Sequence, residues 1–445
     1  MNATPQSPAP LPRWIISGVG LVLLALFVFL FQYAPGAYFK VMNGIMGQAF
    51  SSPFIDAQQV PAVIACSKMG VDVFVAAPCD PLGRPFAYSP LFLLLTWLPA
   101  WRPYMGIVLD AVFFLSLALL PAPRNLRGAL LFILALCSGK SVFALERGNM
   151  DVVVFILVAL GGRFWLSNFC CRLFGYAVLT LAGLLKFYPL TLFLLFCRER
   201  LFYFFGLALA GIASVVAFVL YYHKDLIEMS RNLPTISPFA DGFGASDLPL
   251  GLQAIVGSAH LTAGSQGDHI GVYIVAVLIL LTFVLGIMRL RRSQEFTTSI
   301  GALPEPEFTF LVIGSILLTG CFLAGGNNGY RGVELIFVVP GLAFLADAAQ
   351  PKMRALFRLT LWSVIFVMWQ AFVQQLVEAL FRSNTLSTGY GAVMCVYWII
   401  YQLAWWWITI VFTATILCFL EESLLFRTLS IWKLIRWLRG VRHDG

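Results

Sequence analysis

Charge is what this sequence has least of. Of its 445 residues only 11% are Asp, Glu, Lys or Arg, whereas 60% are hydrophobic and 40 are phenylalanine. Mean hydropathy is +0.87. A soluble globular domain carries about 25% charged residues, so that class is excluded and a polytopic integral membrane protein is indicated. Histidine is just as scarce: His223, His260, His269 and His443 are all there is, and no His-Glu-x-x-His pair occurs. The nine cysteines show no metal-ligand spacing. Cys170 and Cys171 are adjacent, and most others lie in apolar runs, where they read as small hydrophobes. Cys66 and Cys79 share one hydrophilic loop, in which a bridge is open to them. Neither a metal nor another cofactor is expected. The formal charge of +8 is not a nucleic-acid signature. The basic residues sit in short connectors and in the tail (Arg427, Lys433, Arg436, Arg439 and Arg442, with Trp432 and Trp437), as the positive-inside rule expects. Nucleic acid is therefore not an expected partner; membrane lipids are. No small-residue cleavage site follows the apolar run 14–33, so an uncleaved first span is expected.

Spans are predicted at 14–33, 104–121, 128–144, 201–222, 270–288, 308–323, 332–347, 359–381 and 393–420, with a slightly short one at 149–162. Two stretches admit two threadings, both with cytoplasmic termini. In one, 88–100 crosses and 174–197 is a single helix; Arg124, Arg127, Arg163 and Arg172 then all lie outside. In the other, 88–100 is re-entrant or interfacial, and 174–197 is a down-and-up pair broken at Lys186-Phe187-Tyr188-Pro189, which moves those four arginines inside. The positive-inside rule and the proline three residues past the lysine favour the second. Each half of that pair would reach roughly 18 Å into a 30 Å core, leaving Lys186 below the outer headgroups. The expected fold class is all-α, a polytopic transmembrane helical bundle of about 12 spans plus a re-entrant or interfacial helix. Its expected parts are a cytoplasmic tail (1–13), a membrane module (14–222) with first outer loop 34–87, a large outer loop (223–269), a second membrane module (270–420) and a basic cytoplasmic tail (421–445).

The second threading puts several charged segments on one face. Asp56 follows the first span; a carboxylate at a membrane surface suits a general base, although a solvated loop aspartate looks the same in sequence. Glu146-Arg147-Gly148-Asn149-Met150-Asp151 opens a helix, with Asn149 as N-cap and Asp151 in the first turn. Capping explains Asn149 and Asp151 but not Glu146 and Arg147 between two apolar runs, nor Lys140 before them. Such a cluster fits phosphate and sugar binding. Lys186 is a compact cation suited to phosphate, with Tyr188 beside it as a donor. The competing account is a lysine that snorkels from a helix end. Gly325-Gly326-Asn327-Asn328-Gly329-Tyr330-Arg331 is a tight turn from which Tyr330 and Arg331 reach a substrate; Glu334 would pair with Arg331. His260, in the large loop with Asp241 and Asp247, is the weakest candidate.

This ordered set resembles the GT-C superfamily of membrane glycosyltransferases, the likeness running over residues 50–335. It consists of the first-loop Asp56, Tyr88-Ser89-Pro90-Leu91, Arg147-Gly148-Asn149-Met150-Asp151, Lys186-Phe187-Tyr188-Pro189 and Tyr330-Arg331. Within the superfamily it looks most like bacterial polyprenyl-phosphate-mannose-dependent mannosyltransferases. Two of the motifs are also similar to those of the mannosyltransferase that starts the glycosylphosphatidylinositol core. The resemblance implies a GT-C-like architecture in the bacterial inner membrane. It also implies inverting transfer of a hexose, mannose favoured, from a polyprenyl-phosphate sugar donor to a lipid or glycan acceptor on the outer (periplasmic) face. Asp56 would be the base, and Arg147 and Lys186 would contact the donor phosphate. The chain departs from the Asp-x-Asp pair of some branches: Gln58 stands two residues on. A secondary transporter or a lipid-linked glycan flippase is the rival class, since broken helices and intramembrane charges mark those too.

Overall fold

The computed structural model describes residues 11–47, 49–50, 52–232, 239, 241–259, 267–382 and 387–428. His260 and the basic residues beyond 428 lie outside the described residues. Helix α1 (Trp14–Tyr33) is followed at once by α2 (Pro35–Met46), because Ala34, pushed out of helical geometry by Pro35, turns the chain. Helix α3 (Ile55–Lys68) carries Asp56 in its first turn. The Cys66–Cys79 bridge, with Cα atoms 5.9 Å apart, closes the end of α3 onto the loop. Residues 88–100 form no crossing helix but two 3₁₀ pieces, Pro90–Leu94 and Leu98–Trp101.

Then come α4 (Met105–Ser116), α5 (Leu126–Leu136), α6 (Gly139–Arg147), α7 (Met150–Trp165) and α8 (Phe169–Leu185). The predicted span 128–144 is not one helix: α5 and α6 bend by 51° where Ser138 caps α6, its Oγ accepting from the Ser141 N–H. The stretch 174–197 is broken too. Helix α8 stops at Lys186, and a 3₁₀ segment, Tyr188–Arg198, runs back alongside it. Arg172 near the start of α8 pairs with Glu199 at the end of that segment at 2.8 Å. Tyr176 donates to the same carboxylate at 3.0 Å. The down-and-up alternative is the observed shape.

Further on lie α9 (Leu201–Tyr221), α10 (His223–Arg231), α11 (Asp247–Ala259), α12 (Gly267–Arg292), α13 (Gln294–Gly301) and α14 (Glu305–Ala324). They are followed by the 3₁₀ segment Gly329–Val338, α15 (Val339–Ala348), α16 (Pro351–Met368), α17 (Gln370–Arg382), α18 (Ser387–Glu422) and α19 (Leu424–Thr428). The span expected at 332–347 is thus half 3₁₀, half α, with Pro340 opening the second half. The one expected at 359–381 is α16 and α17, bent by 74°. Among the described residues, strand is confined to β1 (Gly242–Phe243) and β2 (Asn327–Asn328), antiparallel with Gly242 opposite Asn328.

Among the described residues, five helices are long and apolar enough to cross a membrane, or up to seven if each bent pair is one span. Several of the other expected spans fold as short or broken helical pieces. Helix α14 is the axis of the core: 78% of its apolar window is buried, against 11% in α9 and in α12, which turn apolar side chains outward as lipid-facing helices do. At the start of α14, Glu307 pairs with Arg124 (2.7 Å) and Glu305 with Arg198 (2.9 Å). Its 20 residues span about 30 Å. Its far end leads into Asn327 and Arg331, so two polar layers sit a bilayer core apart.

Candidate functional site

One corner assembles the site. Gly148 ends α6 with φ +59°, and a Cβ there would lie 2.6 Å from the Ala57 Cβ. Only glycine meets both demands, so the α6–α7 corner rests directly on α3. The residues on either side, Arg147 and Asn149, are thereby brought to Asp56. Phe54, also left-handed (φ 60°), turns the chain into α3, and its N–H donates to the Glu146 carbonyl at 2.6 Å.

Asp56 is 2% exposed, and its carboxylate is saturated. Arg147 Nε donates to Oδ2 and Nη2 to Oδ1, both at 2.7 Å. Arg84 Nη1 reaches Oδ1 at 2.8 Å and Asn149 Nδ2 reaches Oδ2 at 2.8 Å. Burial pushes the acid's pKa up, but the bonds and charges of Arg147 and then Arg84 outweigh it, and Asp56 is held below its ordinary value. Arg84 is itself fixed by Asp80, its Nε 3.0 Å from Oδ2.

Asn149 joins this half of the site to the next. Its Oδ1 accepts from the Asp151 N–H at 3.0 Å, the capping bond predicted from sequence, and also from Lys186 Nζ at 3.1 Å. Lys186 pairs with Asp151 at 2.7 Å and stands over the rings of Tyr88 (5.5 Å) and Tyr330 (5.4 Å). Tyr188 OH donates within reach of two carboxylates, Asp151 at 3.0 Å and Glu334 at 2.9 Å. Arg331 lies 5.2 Å above the Tyr188 ring and donates to Asn327 Oδ1. Its Nε is buried without a hydrogen-bond partner. Four carboxylates (Asp56, Asp80, Asp151, Glu334) thus accompany four cations (Arg84, Arg147, Lys186, Arg331), and among the described residues Arg331 alone of these cations makes no ion pair.

Family models, curated proteins and solved structures yield no match to this chain. The function is therefore argued from the site itself.

Asp56, Arg147, Asn149, Asp151, Lys186, Tyr188, Tyr330 and Arg331 come together in one network, although they are spread over 276 positions from Asp56 to Arg331. Two details differ from expectation. Arg147 and Lys186 are engaged by Asp56 and Asp151 rather than free for a phosphate. Glu334 accepts from Tyr188, while Arg331 turns to Asn327. Sequence reading saw the loop run Asp80-Pro81-Leu82-Gly83-Arg84 but gave Asp80 and Arg84 no role. It also missed Lys140 as a tie between core and loop: 1% exposed, it pairs with Asp241 beside β1. Among the described residues, no group of three or more His, Cys, Asp or Glu side chains is placed to hold a metal ion.

Proposed function

We propose that the chain is an integral-membrane glycosyltransferase that moves a hexose, mannose favoured, from a polyprenyl-phosphate sugar to a lipid or glycan acceptor with inversion. The observation that carries this reading is the Asp56 carboxylate, buried at a helix start and surrounded by cations that match a phosphate. Arg331, the guanidinium without an ion pair, is the first contact for the donor phosphate. Once seated, the phosphate competes with Asp56 for Arg84 and Arg147, and the carboxylate is released as its guanidinium partners turn away. Asp56 then takes the proton of the acceptor hydroxyl. The hydroxyl oxygen attacks the anomeric carbon, the bond from that carbon to the phosphate oxygen breaks, and its electron pair leaves on polyprenyl phosphate. The leaving group needs no proton, so one carboxylate suffices, and the cations stabilise the charge that grows on the phosphate.

The Cys66–Cys79 bridge supports an outward-facing site, since the cytosol keeps thiols reduced. So does the layer of Arg124, Arg172 and Arg198 about 30 Å away, which the positive-inside rule assigns to the cytoplasm. The reading carries with it a GT-C-like bundle in a bacterial inner membrane, in which short apolar pieces such as Met105–Leu119 complete the crossings.

The test is Asp56→Asn. Transfer from a radiolabelled polyprenyl-phosphate sugar in membranes should fall by about 10²–10⁴-fold with protein level unchanged. Wild-type-like transfer in that variant removes Asp56 as base. The hairpin broken at Lys186 also suits a secondary transporter; on that reading the variant loses solute uptake into vesicles, and labelled sugar never appears on an acceptor.

A further inference from the structure

A second carboxylate pair lies below the site and takes no part in it. A cavity of about 160 Å³ opens between α1, α2, α4 and the α5–α6 bend. Its walls are aliphatic and aromatic, and the charged side chains lining it are Asp110 and Glu146. Both are buried, at 2% and 1% exposure. Glu146 Oε1 accepts from Tyr38 at 3.1 Å. Asp110 Oδ1 is buried with no hydrogen-bond partner at all. A carboxyl left without a donor in apolar surroundings is costly and is kept where something supplies the missing donor.

The shape of the cavity says what can come. Its mouth faces outward beside Leu26 (50% exposed) and Val41 (42% exposed), on helix faces that turn apolar side chains to the surroundings. Phe114 forms an inner wall, its ring packed where Gly20 of α1 has no Cβ; a Cβ there would lie 2.1 Å from it. About 160 Å³ holds a group of roughly benzene size, so it admits a head and a few carbons while the rest of a chain runs into lipid. Two buried carboxyls favour hydrogen-bond donors and repel phosphate. The cationic site around Asp56 has the opposite preference.

We propose that this cavity binds an aliphatic or prenyl chain bearing a hydrogen-bond-donating head, hydroxyl or ammonium, with Asp110 as its acceptor, and that it excludes anionic lipid heads. The Phe54 N–H to Glu146 carbonyl bond links it to the site above. The proposal does not depend on the sugar-transfer reading.

The experiment uses the full chain in lipid nanodiscs, with dodecanol and dodecylamine each carrying a photoreactive diazirine on the chain. The label should map to residues 23–30 and 41–46. Excess unlabelled dodecanol or dodecylamine should displace it, and dodecyl phosphate should not. Asp110→Leu, which removes the acceptor, and Leu26→Trp, which fills the mouth, should each lower labelling about tenfold. Should the leucine variant fail to fold, Asp110→Asn takes its place. Loss of the amine with retention of the alcohol identifies an ammonium contact, loss of both identifies Asp110 as the acceptor of either head, and equal wild-type retention of both overturns Asp110 as the acceptor. Labelling that spreads evenly over α9 and α12, survives either Asp110→Leu or Leu26→Trp, or is displaced equally by dodecyl phosphate overturns the proposal.

Discussion

Arg147 grips both carboxylate oxygens of Asp56, 91 residues away, at 2.7 Å each. A carboxylate held this way is a poor proton acceptor. With its pKa below the ordinary 3.8, its contribution to folded stability is present above that value and is lost only as pH falls through the lower folded one. On the proposed function, the acid limb of kcat/KM for sugar transfer by the free protein should lie below pH 3.8, as far as the protein remains folded. On the same proposal, phosphate in the donor complex draws the guanidiniums off, and the acid limb of kcat should move to higher pH. Coincident limbs would mean that the clamp stays shut during turnover.

Arg331 and Arg147 should fail differently. Arg331→Gln breaks no ion pair, so Tm should hold while affinity for polyprenyl phosphate falls at least tenfold. Arg147→Gln strips two charge-assisted bonds from an almost fully buried carboxylate and should cost on the order of 2 kcal/mol even with Arg84 in place. Thermal unfolding in nanodiscs and a lipid-phosphate binding assay separate the two. Equal Tm losses would remove the distinction drawn between a guanidinium with an ion pair and one without.

At Gly148, both φ and space are restrictive. Gly148→Ala should destabilise by about 1–3 kcal/mol. Gly148→Asn should do no better, although asparagine tolerates left-handed backbone, because the Ala57 Cβ would sit 2.6 Å from the new one. Ala57→Gly should recover part of the loss in the double variant and little alone. A full rescue by asparagine alone would show that backbone conformation, not contact, sets the cost.

The reversal at Lys186 is open to direct measurement. Cysteines placed at Arg172 and Glu199, with Cys170, Cys171 and Cys197 replaced by serine, should be joined within one molecule by a short bis-maleimide. In one continuous helix the two positions would stand about 40 Å apart and no such product would form.

Much of the site was legible before any coordinates because its residues are expensive where they stand. A lysine in an apolar run, an Asn-x-Asp at a helix start and a tyrosine-arginine pair after a glycine turn each announce themselves by solvation cost or capping chemistry. Asp110 announced itself in the same way, alone in the run 104–121, and passed unnoticed because hydropathy averages it away. Helix breaks at Ser138 and Trp369 were hidden for a related reason: a run can stay apolar through a capped bend.

Sequence by itself determined a helical, lipid-facing chain and the short stretches where charge is concentrated, because burial of apolar surface and the cost of intramembrane charge are local properties of composition. Only the tertiary structure decided which charges neutralise one another. Arg84 and Arg147 close on Asp56, because a left-handed glycine and a bare Ala57 let two helices touch, while Arg331 finds no ion pair among the described residues; that contact depends on three-dimensional space that no spacing along the chain encodes.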